Sequence, residues 1–116
     1  MLDITGIWAG SASKVEPERR ITVPASTSRI FYRFEQTEDL KSTLKSVVRV
    51  KVNGTEILKE LADFKPGDPI DTGFFDVPMS MRTGSVGVVI SVSEWADKPE
   101  NAKLISESKK FEITYE

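Results

Sequence analysis

Apolar and polar positions alternate one for one along four stretches of the chain. Residues 29–35 set Ile30, Tyr32 and Phe34 against Arg29, Phe31, Arg33 and Glu35. Val48, Val50 and Val52 stand against Val47, Arg49 and Lys51, and Val86, Val88, Ile90 and Val92 against Gly87, Val89, Ser91 and Ser93. At the end Phe111, Ile113 and Tyr115 oppose Lys110, Glu112 and Thr114. Side chains of an extended strand point to opposite faces in turn, so each stretch predicts a strand with one buried and one wet face. Weaker strands are predicted at 2–8, 20–24, 73–78 and 103–107. Paired antiparallel sheets packed face to face satisfy such a pattern.

Punctuation fits the same scheme. Asn53-Gly54 directly after the valine strand is a strong hairpin signal, because a type I′ turn needs positive φ at both central residues. The return strand starts at Thr55 and runs through Leu58. Ile57, Leu58, Leu61 and Phe64 also fall at helical spacing, with Thr55 as N-cap and Pro66-Gly67 as stop, but the strand reading is preferred. Thr37 to Lys45, with Leu40 and Leu44 one turn apart, reads as a short helical crossover. Seven or eight short strands with frequent turns read as an all-β chain, an antiparallel β-sandwich of Greek-key type. A small jelly roll or open barrel is the runner-up.

Composition strengthens the all-β reading. Val and Ile number 20 and Thr 9, against 12 Leu and Ala together; β-branched side chains suit a pleated surface better than a helix. The 116 residues suit one domain, 1–116. With 16 basic and 18 acidic residues there is no global field to attract nucleic acid. The absence of His and Cys excludes disulfides, thiolate and histidine catalysis, and the usual zinc and haem ligand sets. No apolar run is long enough for a membrane helix, and the first ten residues have no basic n-region, so neither membrane insertion nor a secretory signal is expected. The compartment is left open.

Val48-Arg49-Val50-Lys51-Val52-Asn53-Gly54-Thr55-Glu56-Ile57, then Phe64-Lys65-Pro66-Gly67, then Phe74 to Pro78, Gly84 to Val92 and Phe111 to Tyr115 follow one another in a known order. Over about residues 44–116 this resembles fibronectin-III-like and CARDB-type immunoglobulin-like modules. The resemblance implies a fold and a tendency toward non-catalytic spacers, binders or assembly units. No functional residue is carried over, and Met79 to Thr83 departs from the usual small polar loop.

Carboxylates are the remaining acid–base groups near neutral pH. Asp63, Asp68 and Asp71, in a stretch bent by Pro66, Gly67 and Pro69, are candidate oxygen ligands for Ca²⁺; a solvated Asp- and Pro-rich turn is the plainer reading. Asp97 and Glu100 form a weaker acidic pair. Ser42 to Lys45 and Ser106 to Lys109 match S-x-x-K by chance, without the companion motifs. Asn53-Gly54-Thr55 is a formal glycosylation sequon whose Asn the turn already explains.

Phe31, Arg33, Val47 and Arg49 form a candidate interaction face, provided that their two strands share a sheet. Trp8, Phe31, Phe74 and Trp95 are aromatics that the core pattern leaves unexplained. Trp8 and Trp95 are candidates for stacking on a sugar, for an interface, or for capping the ends of the sandwich. Residues 1–58 carry 9 basic and 7 acidic groups and residues 59–116 carry 7 and 11, an asymmetry that suits association between copies. The resulting expectation is a non-enzymatic structural, assembly, adhesion or protein-interaction module whose partner is another protein or itself. No cofactor is expected beyond the calcium candidate. A carbohydrate-binding β-sandwich, with or without calcium, is the alternative.

Overall fold

The computed structural model describes residues 2–10 and 16–116, and the alternating stretches are its strands. Among these residues nine strands occur: β1 (Leu2–Trp8), β2 (Arg20–Val23), β3 (Arg29–Gln36), β4 (Leu44–Val52), β5 (Thr55–Phe64), β6 (Ile70–Asp76), β7 (Ser85–Glu94), β8 (Lys103–Glu107) and β9 (Phe111–Tyr115). Single turns of 3₁₀ helix at Met79–Met81 and Pro99–Asn101 are the only helical pieces described. No helix of the described residues is long and apolar enough to cross a membrane.

Two sheets result. A three-stranded sheet has the order β1-β3-β6, and a six-stranded sheet the order β2-β9-β7-β4-β5, with β8 pairing the far half of β7. Every pairing is antiparallel except that of β2 with β9. The inward faces share one core: Ile4, Ile7, Ile30, Tyr32, Phe34 and Phe75 from the small sheet meet Val48, Val50, Val86, Val88, Ile90, Val92 and Phe111 from the large one. Burying these side chains supplies the main driving force for folding, at roughly 25 cal/mol per Å² of apolar surface.

Asn53 and Gly54 both take positive φ (49° and 82°) at the β4–β5 turn. Asn53 also works as a clamp: its Oδ1 accepts the Gly87 N–H at 2.8 Å, and its own N–H donates to the Gly87 carbonyl at 2.8 Å. The return segment is therefore strand throughout 55–64, because an edge strand held by a tight turn and paired with β4 along its length, with one bulge at Ile57, outweighs the helical spacing of Ile57, Leu58 and Leu61. The helical crossover expected at 37–45 is not formed. Residues 37–43 make an irregular bridge between the sheets, and Leu44 already belongs to β4. Leu40 and Leu44 both pack on the core, which a short bridge rich in turn-forming Ser, Thr and Asp achieves without a helix.

Candidate functional site

Register builds one row of aromatic rings across the outer face of the small sheet. Trp8 on β1 lies opposite Phe31 on β3, which lies opposite Phe74 on β6. Trp8 and Phe31 stack with centroids 5.7 Å apart and planes 19° apart. Phe31 and Phe74 meet edge to face at 6.2 Å. Two cations of β3 flank the row. The Arg29 guanidinium sits 4.0 Å above the Phe74 ring and bonds Asp76 at 3.3 Å, and Arg33 stands 5.8 Å from the Trp8 ring. Exposure rises along the row, from 2% at Trp8 through half-buried Phe31 to 44% at Phe74, with Ile70 also exposed at the far end of β6.

The four residues expected on a single face are divided between the two sheets. Phe31 and Arg33 are on β3 of the small sheet, whereas Val47 and Arg49 are on β4 of the large one. The stripe is therefore corrected to two separate surfaces, since the chain crosses from one sheet to the other between β3 and β4. Val47 is also only 1% exposed: it sits in a cross-strand row between Leu61 and Ser93. Arg49 is paired with Glu56 at 3.3 Å. On the same outer face Trp95 is half-buried, with the Lys45 Nζ 5.3 Å from its ring. These two and Leu61, Ala62 and Asp63 line an open depression of about 370 Å³.

The candidate calcium ligands are not brought together. Asp63 lies on β5 opposite Lys45, Asp68 in the turn after Gly67, and Asp71 on β6. Among the described residues no three His, Cys, Asp or Glu side chains form a group that could hold a metal ion. The turn has a structural clamp instead: the Gln36 amide donates to the carbonyls of Lys65 and Asp68 at 2.9 and 2.8 Å. Asp97 accepts the Lys98 N–H at 2.8 Å and the Asn101 amide at 3.1 Å, bonds that lower its pKa and hold the turn at 97–101. Ser106 and Ser108, both in the second S-x-x-K match, make structural bonds: one donates to the Leu2 carbonyl, the other accepts the Ile90 N–H, each at 2.9 Å.

Partial burial, and then the neighbouring Asp68 charge, raise the Asp71 pKa above its ordinary 3.8. A raised folded-state pKa means that the charged form is disfavoured on folding. The contribution of this group is fully present below the unfolded-state pKa and is lost as pH rises through the folded one. Asp71→Asn is therefore expected to raise the melting temperature at about pH 7 and to leave it unchanged at about pH 3. Thermal unfolding at the two pH values checks this; an equal shift at both would remove the electrostatic cause.

On the inner side, Tyr32 reaches across the seam between β6 and β5 to donate to Glu60 at 3.2 Å. Burial and the Glu60 charge together raise the tyrosine pKa. Sequence reasoning identified Trp8, Phe31 and Phe74 as outward aromatics and put Arg29 on the face of Phe31, but not the contact of Arg29 with Phe74 or the row itself. The available signal was their shared outward parity, and alignment into a row required the register between three strands distant in sequence.

The chain is thus an all-β protein of two packed sheets with an aromatic and cationic surface on the smaller one. No protein-family model matches it, and neither does any curated protein.

Proposed function

We propose that the chain is a non-catalytic immunoglobulin-like module of Greek-key type that serves as a structural, assembly or protein-interaction unit, and that the outer face of the small sheet engages its protein partner. The fold part of this reading is supported by the strand order. In such a module β1, β3 and β6 would correspond to strands A, B and E, and β9, β7, β4 and β5 to G, F, C and C′. The observation that carries the functional part is the accessible end of the row, half-buried Phe31 and exposed Phe74 backed by buried Trp8, with Arg29 and Arg33 against it. Aromatic side chains and arginine dominate the energetic centres of protein interfaces, and rings already held by stacking lose little freedom on binding.

The carbohydrate alternative draws less support from the same geometry. A sugar needs an open ring face, yet Trp8 and Phe31 turn theirs toward each other, Arg29 covers Phe74, and Lys45 lies beside Trp95.

Solution mass by size-exclusion chromatography with light scattering, at low and high salt, tests self-assembly. The expected result is an oligomer at low salt that Phe31→Ala and Arg33→Glu dissociate and that Arg49→Glu, on the other sheet, leaves intact. A strict monomer under all conditions removes self-assembly. Quenching of tryptophan fluorescence by polysaccharides would move the reading to the alternative.

A further inference from the structure

The open edge of β6 has the backbone geometry of a strand-addition site. The Val77 N–H donates to the Ser28 carbonyl at 2.9 Å, and the Gln36 N–H to the Pro69 carbonyl at 2.8 Å. In an antiparallel ladder each residue directs both backbone groups to the same side, alternately toward and away from its neighbour. With the β3–β6 register, Asp71, Gly73 and Phe75 face β3. Ile70, Thr72, Phe74 and Asp76 then turn their N–H and C=O groups outward, and β6 ends its sheet among the described residues. Natural edges are commonly blunted by lysine or proline within the strand. β6 contains neither between Ile70 and Asp76, while β5, the neighbouring edge of the large sheet, carries Lys59.

Beside this edge lies a groove of about 330 Å³ between the sheets, whose lining includes Leu58 and Glu60 of β5 and Thr72, Phe74 and Phe75 of β6. Its charge is one-sided. Its lining carries Glu60 and Asp76, the latter paired with Arg29, and no basic residue, and Asp71 lies on the seam side of β6 next to it. The outer side of the edge is apolar: Ile70 and Phe74 are exposed there, and Phe74 ends the aromatic row.

We infer that β6 accepts an extended cationic segment of a protein partner as an added strand, paired with the outward backbone groups of Ile70, Thr72, Phe74 and Asp76. Its basic side chains alternate into the seam toward Glu60 and Asp71, and its apolar ones extend the Trp8–Phe31–Phe74 row by one strand. Main-chain bonds give such complexes their affinity, and the alternating side chains their specificity. The raised pKa of Asp71 agrees with a carboxylate that gains from a cation beside it. The inference rests on the protein-interaction reading and adds its binding mode and the chemistry of the partner.

The test is a titration of the full ¹⁵N-labelled chain, followed amide by amide by NMR, with a blocked peptide of alternating lysine and valine about seven residues long. The control peptide has glutamate in place of lysine. The lysine peptide is expected to shift the amides of Ile70, Thr72, Phe74 and Asp76 and slow their hydrogen exchange, while the glutamate peptide has no effect. Thr72→Pro removes an outward N–H where an edge tolerates proline. It should weaken binding at least about tenfold, the loss expected for about one net hydrogen bond. Asp71→Lys, on the seam side of the strand, keeps the backbone intact and should weaken it about threefold through like charge. No shift up to about 1 mM peptide, or equal binding of both peptides, overturns the inference. Shifts centred on Phe31 and Arg33 with none at 70–76 also overturn it, and in that case leave the protein-interaction reading standing.

Discussion

Phe75→Ala is expected to lower the stability of the chain by about 3–5 kcal/mol, the range for deleting a buried aromatic ring. Phe75 is 1% exposed, stacks on Tyr32 at 6.2 Å and sits in the shared core. Tyr32 in turn ties the small sheet to Glu60 across the seam. Loss of the ring leaves a cavity beside that tie, and the glycine next to it offers nothing to fill it. A Cβ on Gly73 would lie 2.5 Å from the Tyr32 ring, so the phenol occupies the space that a side chain at 73 would need. Small domains are stable by only about 5–15 kcal/mol, so the variant should lose a large part of its margin. Phe74→Ala, one residue away but on the outer face, should cost less than about 1 kcal/mol, since its ring is half in water and mainly contacts Phe31 and Arg29. Urea unfolding of the two variants side by side checks the contrast; near-equal costs would mean that the assignment of faces on β6 is wrong.

The second large effect is expected at Gly6→Ala. A Cβ there would stand 2.8 Å from the backbone N and O of Glu18 and 2.9 Å from the carbonyl carbon of Pro17. These are main-chain atoms, and Glu18 exchanges two hydrogen bonds of 2.9 Å with Ile7. A flexible side chain could swing aside, but a bridged backbone cannot do so without breaking those bonds. Overpacking together with two lost bonds gives an expected cost of about 2–4 kcal/mol. Hydrogen exchange at the amides of Ile7 and Glu18 should accelerate in step. A cost below about 0.5 kcal/mol with both amides still protected would show that the 17–18 segment relaxes freely, contrary to this account.

Legibility differed between the fold and the surface for a physical reason. β3, β4, β7 and β9 lie where period-two alternation put them, because a strand buried on one face must write that face into its sequence. The Asn53-Gly54 turn is equally local, as its positive φ values depend on two adjacent residues. The 37–43 bridge was misread because Leu40 and Leu44 are core contacts at the ends of a sheet-to-sheet connection, and a spacing of four fits that as well as one turn of helix. For the interaction face, each outward residue was identified, but whether β3 and β4 are neighbours is not a local property. They follow each other in the chain and nevertheless lie in different sheets.

The sequence by itself therefore determined the strands, the faces they bury, the tight turn and the chemistry that lack of His and Cys excludes. These follow from backbone sterics, side-chain period and composition, all of which act over a few residues. The tertiary structure alone decided which residues meet: Trp8, Phe31 and Phe74 in one row, Arg29 on Phe74, Tyr32 on Glu60 past Gly73, and, among the described residues, an unpaired edge at β6 beside an acidic seam. Register between distant strands is fixed by packing of the whole core, and a shift of one residue in any of these strands would turn that strand's side chains to the opposite face.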